Sequence, residues 1–136
     1  VEVEKEALEE IARRSRKTPR TANYLFKRSR DVAQLERAPL SKAIAEKALA
    51  MIGIDVAGLT PSDRKILEAL ITKFNGGPVG LKTLAAAASE EEETVEDVYE
   101  PYLMQEGFLE RTPRGRVVTN RAREHMGKKG AQKSLI

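Results

Sequence analysis

The feature that most limits how this chain can fold lies between residues 94 and 119. Val95, Val98, Tyr99, Tyr102 and Leu103 recur at i, i+3, i+4, i+7 and i+8, which puts five apolar side chains on one face of an α-helix. Thr94-Val95-Glu96-Asp97 carries a capping signal at its start, and Gly107 stops it. Directly afterwards Phe108-Leu109-Glu110-Arg111 and Arg116-Val117-Val118-Thr119 bracket Thr112-Pro113-Arg114-Gly115, which reads as two short strands joined by a tight turn. A helix running straight into a small basic hairpin is the second half of a winged helix-turn-helix.

The first half lies just upstream. Thr60-Pro61-Ser62-Asp63 pairs a capping Thr with a Pro at the first helical position, and Ile66, Leu67, Leu70, Ile71 and Phe74 continue the helical stripe. Asn75-Gly76-Gly77-Pro78 ends it, and Leu81, Leu84, Ala85 and Ala88 mark a short second helix. Thr119 can cap a closing helix through Ala122 and Met126 to Gly127, leaving 128–136 as a frayed basic tail. The winged-helix domain is therefore placed at 60–127.

Before it, residues 54–59 hold Asp55 and Gly58 without a helical period and read as a linker. Residues 1–53 form a separate all-α unit of three expected helices. The first spans Glu6 to Arg14 with Ala7, Leu8, Ile11 and Ala12 on one face. The second starts at Thr18-Pro19-Arg20 and buries Ala22, Leu25, Phe26, Ser29, Val32 and Ala33. The third is capped by Ser41, buries Ile44, Ala45, Ala48, Leu49 and Ile52, and ends at Gly53. The fold class is mainly α, with one small hairpin.

Composition bounds the chemistry. With no cysteine and one histidine, His125, the chain has neither thiolate ligands nor enough imidazoles for a zinc centre. No metal site and no catalytic residue is expected. No apolar run approaches the roughly 18 residues of a membrane span, and Val1-Glu2-Val3-Glu4 lacks the features of a signal peptide, so a cytoplasmic protein without membrane contacts is expected. The net charge of +3 hides a segregation: residues 89–106 carry eight acids and no Lys or Arg, whereas 107–136 carry eight bases against two acids. A concentrated basic segment points to a polyanion partner.

Within that segment the hairpin is the expected DNA contact. Arg111, Arg114 and Arg116 would pair with phosphates and Thr112 would add a hydroxyl, giving affinity without sequence information. Arg121 is a further candidate, with Arg123, Lys128 and Lys129. The helix before the wing carries Glu96, Asp97 and Glu100 and no Lys or Arg, so base readout through it is disfavoured. Glu90 to Glu93 read as a solvated loop, Tyr99 and Tyr102 as core, and His125 as a surface or helix-end residue. Gly76 to Thr83, GGPVGLKT, superficially suggests a phosphate loop. Leu81 separates Gly80 from Lys82, however, and a helix rather than a strand precedes it, so a turn is the better assignment.

Several of these segments resemble the C-terminal part of the RuvB family, bacterial AAA+ motors of Holliday-junction branch migration. They are Gly76-Gly77-Pro78-Val79-Gly80-Leu81 with Thr83-Leu84-Ala85, Val98-Tyr99-Glu100-Pro101-Tyr102-Leu103, Gly107-Phe108-Leu109, and Arg111-Thr112-Pro113-Arg114-Gly115-Arg116. Ala12-Arg13-Arg14-Ser15-Arg16, Thr18-Pro19-Arg20 and Ala22-Asn23 are similar to that family's ATPase lid. Lys17, where the family has Gly, and Asn120-Arg121-Ala122-Arg123-Glu124 depart from its pattern.

The resemblance implies that residues 1–53 are an N-terminally incomplete AAA+ lid ahead of the winged helix. It implies that Arg20 is a nucleotide sensor for a γ-phosphate held by a separate phosphate-loop domain, which supplies ATP and magnesium binding. It further implies duplex arms of a Holliday junction, RuvA and a hexamer of the motor as partners in the intact protein. The chain alone is expected to bind duplex DNA weakly and to hydrolyse nothing. The residues by themselves leave two other assignments open: an autonomous winged-helix regulator, or a protein-binding winged helix that uses its acidic face.

Overall fold

The computed structural model describes the backbone of residues 2–16 and 19–134 and the side chains of those up to Gly127. Lys17 and Thr18, on which the expected cap of the second helix rests, lie outside the described residues, as do the side chains of Lys128 and Lys129. The chain divides into two compact units, Val1–Pro61 and Ser62–Ile136.

The first unit is a three-helix cluster: α1 (Lys5–Arg13), α2 (Pro19–Glu36) and α3 (Lys42–Met51). Its core is Ala7, Ile11, Leu25, Ala33, Leu40, Ala45 and Leu49, with Phe26, Ile44 and Ile52 packed against it. The Ser41 side chain accepts from the Ile44 amide at 3.3 Å, the cap expected from sequence. Ser29 is buried in α2 at no polar cost, because its hydroxyl donates to the Leu25 carbonyl at 2.8 Å. Ahead of α1 the chain pairs with the α2–α3 connection: the Glu4 amide donates to the Leu40 carbonyl, and the Leu40 amide to that of Glu2.

The buried face of α1 differs from expectation. Leu8 and Ala12 are exposed, while Glu10, Arg14 and Ser15 are buried beside Ala7 and Ile11. The reason is an ion cluster: Arg13 donates to Glu10, and Arg14 Nε donates to the same carboxylate at 2.5 Å. Charges leave water when they are paired. Burial by itself would push the Glu10 carboxyl up, but the hydrogen bonds and charges of Arg13 and Arg14 prevail and hold it below its ordinary range.

The 54–59 segment is a closed turn rather than an open tether. Asp55 Oδ1 accepts from the Ala57 and Leu59 amides at 2.9 and 3.0 Å, Leu59 is fully buried, and Arg13 Nη1 donates to the Val56 carbonyl at 2.6 Å.

The second unit comprises α4 (Pro61–Phe74), α5 (Leu81–Ala87), α6 (Glu92–Thr94), a π-helical turn (Val95–Tyr99), α7 (Glu100–Gln105), β1 (Leu109–Thr112), β2 (Gly115–Val118) and α8 (Asn120–Ser134). Helices followed by an antiparallel hairpin and a closing helix give the winged helix-turn-helix order. Ile66, Leu67, Leu70, Leu84, Val95, Leu103, Phe108 and Leu109 are its large buried apolar side chains. The strands are paired as Leu109↔Val118, Glu110↔Val117, Arg111↔Arg116 and Thr112↔Gly115, so the loop is only Pro113-Arg114 and each strand is displaced one residue toward the turn from its expected place, at the same length. Thr119 caps α8, accepting from the Ala122 amide at 3.2 Å. The helix then runs to Ser134 instead of stopping at Gly127.

Candidate nucleic-acid interface

The helix that leads into the wing does not keep the expected period. Pro101 has no N–H to give to the i−4 carbonyl, and its ring crowds that carbonyl in a regular helix. The turn immediately before it, Val95–Tyr99, is π-helical and carries one extra residue. Burial therefore steps from Val95 to Glu100 and then to Tyr102 and Leu103, leaving Val98 52% exposed and Tyr99 only half-buried. Sequence periodicity put Val98 inside and counted Glu100 among the outward carboxylates; the π turn exchanges them. Thr94 is correspondingly no cap, since it has helical φ and ψ and the helical segment begins at Glu92 behind Glu91.

Glu100, 0% exposed, meets the wing. Arg111 and Arg116 face one another directly across the hairpin, an arrangement in which like charges repel. Glu100 neutralises the conflict. Arg111 Nη2 donates to its Oε1 at 2.8 Å, while Arg116 donates through Nε to Oε2 at 2.6 Å and through Nη2 to Oε1 at 3.2 Å. The two arginines differ in what remains available: the Arg116 side chain is 13% exposed and that of Arg111 46%. Hydrogen bonding to Glu100 raises the Arg116 pKa above its ordinary value against the effect of burial, with the charges of Glu100 and Glu96 adding to the rise.

At the tip, Arg114 is exposed. Its amide donates to Thr112 Oγ1 at 3.2 Å, and that hydroxyl donates in turn to the Gly115 carbonyl at 2.8 Å. The single Thr112 proton, expected for a DNA oxygen, is thus used to shape the turn. The glycine-rich segment braces the wing from behind. Val79 and Arg116 exchange amide-to-carbonyl bonds at 3.1 and 2.8 Å, and the Val118 amide donates to the Gly76 carbonyl. A Cβ on Gly115, at φ +131°, would lie 2.5 Å from the Val79 carbonyl oxygen, so only glycine permits this approach. In GGPVGLKT the Val79 amide is committed to the hairpin, and the Gly76 and Gly77 amides close back on the Leu70 and Phe74 carbonyls of α4, so these donors are not turned toward a nucleotide.

Arg121, exposed in the first turn of α8, donates to the Glu106 carbonyl at the end of α7, and its guanidinium lies 4.6 Å from the Phe108 ring centroid. Arg123 reaches back to the Asn75 carbonyl at 3.2 Å. Half-buried His125 tilts against Phe108 with ring centroids 5.5 Å apart. Of the hairpin and α8 candidates, Arg114 and Arg111 present the open guanidinium surface at the wing, whereas Arg116, Thr112 and Arg121 are engaged within the protein.

Glu91, Glu92, Glu93, Glu96 and Asp97 are exposed on the preceding segment, so its electrostatic sign is opposite to that of the tip. Glu90, expected in a solvated run, is half-buried and 3.8 Å from Lys65. In the first unit Arg20 is exposed within the first turn of α2. Among the described residues no cluster of three or more His, Asp or Glu could hold a metal ion, and no helix is long and apolar enough to cross a membrane.

Sequence charge counting missed Glu100. The available signal was Pro101, whose presence inside an apolar-periodic helix marks a register change just ahead of it.

Residues 1–55 match the family model for the RuvB AAA lid domain, and residues 56–127 that for the RuvB C-terminal winged helix domain. The chain is 53% identical over 136 residues to the Holliday junction branch migration complex subunit RuvB of Chloroflexus aggregans, covering 99% of this chain and 39% of that protein. Identity to the subunit of the same name from Chlorobaculum parvum is 53% over 131 residues, covering 96% of this chain and 38% of that protein. The solved Thermotoga maritima RuvB Holliday junction branch migration motor superposes with a TM-score of 0.90 at 49% identity, over 93% of this chain and 43% of that one. The chain spans about two fifths of the length of these relatives.

Proposed function

This chain belongs to the RuvB family, and on that premise we propose that it is the DNA-engaging end of a Holliday-junction branch-migration motor acting in recombination and DNA repair. Its winged helix holds a duplex arm by the sugar-phosphate backbone. The observation that carries this is the exposed Arg114 at the wing tip beside the partly open Arg111, on a hairpin braced by Glu100 and the 76–79 segment. Guanidiniums displayed on a braced turn pair with phosphates irrespective of sequence, which a motor that moves along any arm requires. The exposed carboxylates of the helix before the wing disfavour base readout, and with it an operator-reading regulator.

The lid supplies coupling. ATP and magnesium would be held by a phosphate-loop domain of the intact motor, and the likeness to the family's lid assigns Arg20, an exposed and permanently charged guanidinium, as the sensor of the γ-phosphate there. Movement of the lid would pass into the 54–59 turn, which is tied to α1 by the Arg13 bond to the Val56 carbonyl and closed on itself by Asp55. Assembly into a hexamer and association with RuvA belong to the intact protein.

The test is binding of the chain to two unrelated duplexes across a salt series. Equal affinities that fall steeply with salt support backbone recognition. A strong preference for one sequence overturns it in favour of a regulator.

A further inference from the structure

The geometry points to Glu100 as the positioning residue of the wing: through Arg116 it fixes the hairpin against the helix, and through Arg111 it aims a guanidinium toward the duplex, without itself meeting DNA. This inference rests on the DNA-binding function proposed above. A two-stranded hairpin has little stability of its own, and the opposed Arg111 and Arg116 would drive its faces apart without a shared counter-charge. Glu100 makes hydrogen bonds of 2.8, 2.6 and 3.2 Å to the pair from a fully buried site, so its carboxylate is a fixed point and not a mobile surface ion.

The division of labour follows from exposure. Arg116 spends both Nε and Nη2 on Glu100 and is nearly enclosed, so it anchors. Arg111 spends one nitrogen and keeps the rest of its fork toward solvent, so it is held by one end and offered by the other. The wing thus presents two guanidiniums, Arg111 and Arg114, although its sequence contains three. The π turn ahead of Pro101 is the structural origin of this arrangement, because it carries Glu100 inward. A buried ion pair contributes defined geometry more dependably than net stability, which is what a gripping element needs.

The test compares duplex affinity and its salt slope for the whole chain and four variants, with unfolding midpoints measured alongside. Arg114→Gln lowers the slope by about 0.9, the loss of one phosphate contact. Arg116→Lys keeps the charge but loses the fork, and the double variant Glu100→Gln/Arg116→Gln keeps the net charge while removing the anchor. Both weaken binding about tenfold, the scale of one misaligned charge-assisted contact, with the slope unchanged. Arg116→Gln alone also leaves the slope unchanged. If Arg116→Gln lowers the slope as Arg114→Gln does, Arg116 touches phosphate and the anchor role is overturned. If the folded double variant binds as the parent does while only its unfolding midpoint falls, Glu100 is merely structural and the inference is overturned alone. If the parent shows no salt-dependent binding, or Arg114→Gln leaves it intact, the DNA function itself fails and this inference fails with it.

Discussion

A Cβ on Gly77 would stand 2.3 Å from the carbonyl oxygen of Arg116. The backbone of the glycine-rich turn is thereby pressed against β2, and Gly77 also has φ +91°, a region that side chains tolerate poorly. Gly77→Ala is expected to cost about 2 to 4 kcal/mol, combining left-handed backbone strain with overpacking. Chemical denaturation followed by circular dichroism measures it, and a loss below about 1 kcal/mol would show that the wing is not braced from behind.

The π turn makes a distinction between two valines on one helix. Val95 is fully buried and Val98 is half exposed. Val95→Ala is expected to cost about 2 kcal/mol, and Val98→Ala to stay within about 0.5 kcal/mol. Equal losses would indicate a regular helix with both side chains inside.

Glu10 is expected to make the first unit sensitive to acid. Its folded pKa lies below the ordinary 4.5, so the carboxylate contributes stability that is fully present above the unfolded value and is lost as pH falls through the folded one. The unfolding midpoint is expected to fall as pH drops below about 4.5. Glu10→Gln should weaken the protein at neutral pH, by leaving buried Arg14 without its counter-charge, and should flatten the acid limb. An unchanged acid limb in that variant would assign the effect to other carboxylates.

Much of this architecture was legible locally. Pro19 and Pro61 open α2 and α4, Ser41 and Thr119 cap α3 and α8, and Ala45, Ala48 and Leu49 fill the buried stripe of α3, all by rules that operate within one turn of helix. The hairpin was visible from the Thr112-Pro113-Arg114-Gly115 turn and the short segments that bracket it. Less legible were features set by partners distant in sequence. Arg116 and Arg114 are equal in a charge count, yet Arg116 is committed to a carboxylate sixteen residues away and Arg114 is exposed. Glu100 faced outward on a 3.6-residue period and inward once Pro101 forced a wider turn. Glycines 76 and 77 read as chain reversal, while their close contact with β2 depended on pairing that no local rule supplies. The extension of α8 past Gly127 ran against its Lys and Gly composition.

The most direct measurement is the slope of log affinity against log salt for duplex binding by the parent chain and by the double variant Arg111→Gln/Arg114→Gln. Two lost phosphate contacts predict a slope shallower by about 1.8 on any duplex sequence, while the unfolding midpoint falls because buried Glu100 loses its bond from Arg111. An unchanged slope and affinity would contradict the account, because DNA would then be held by some surface other than the wing.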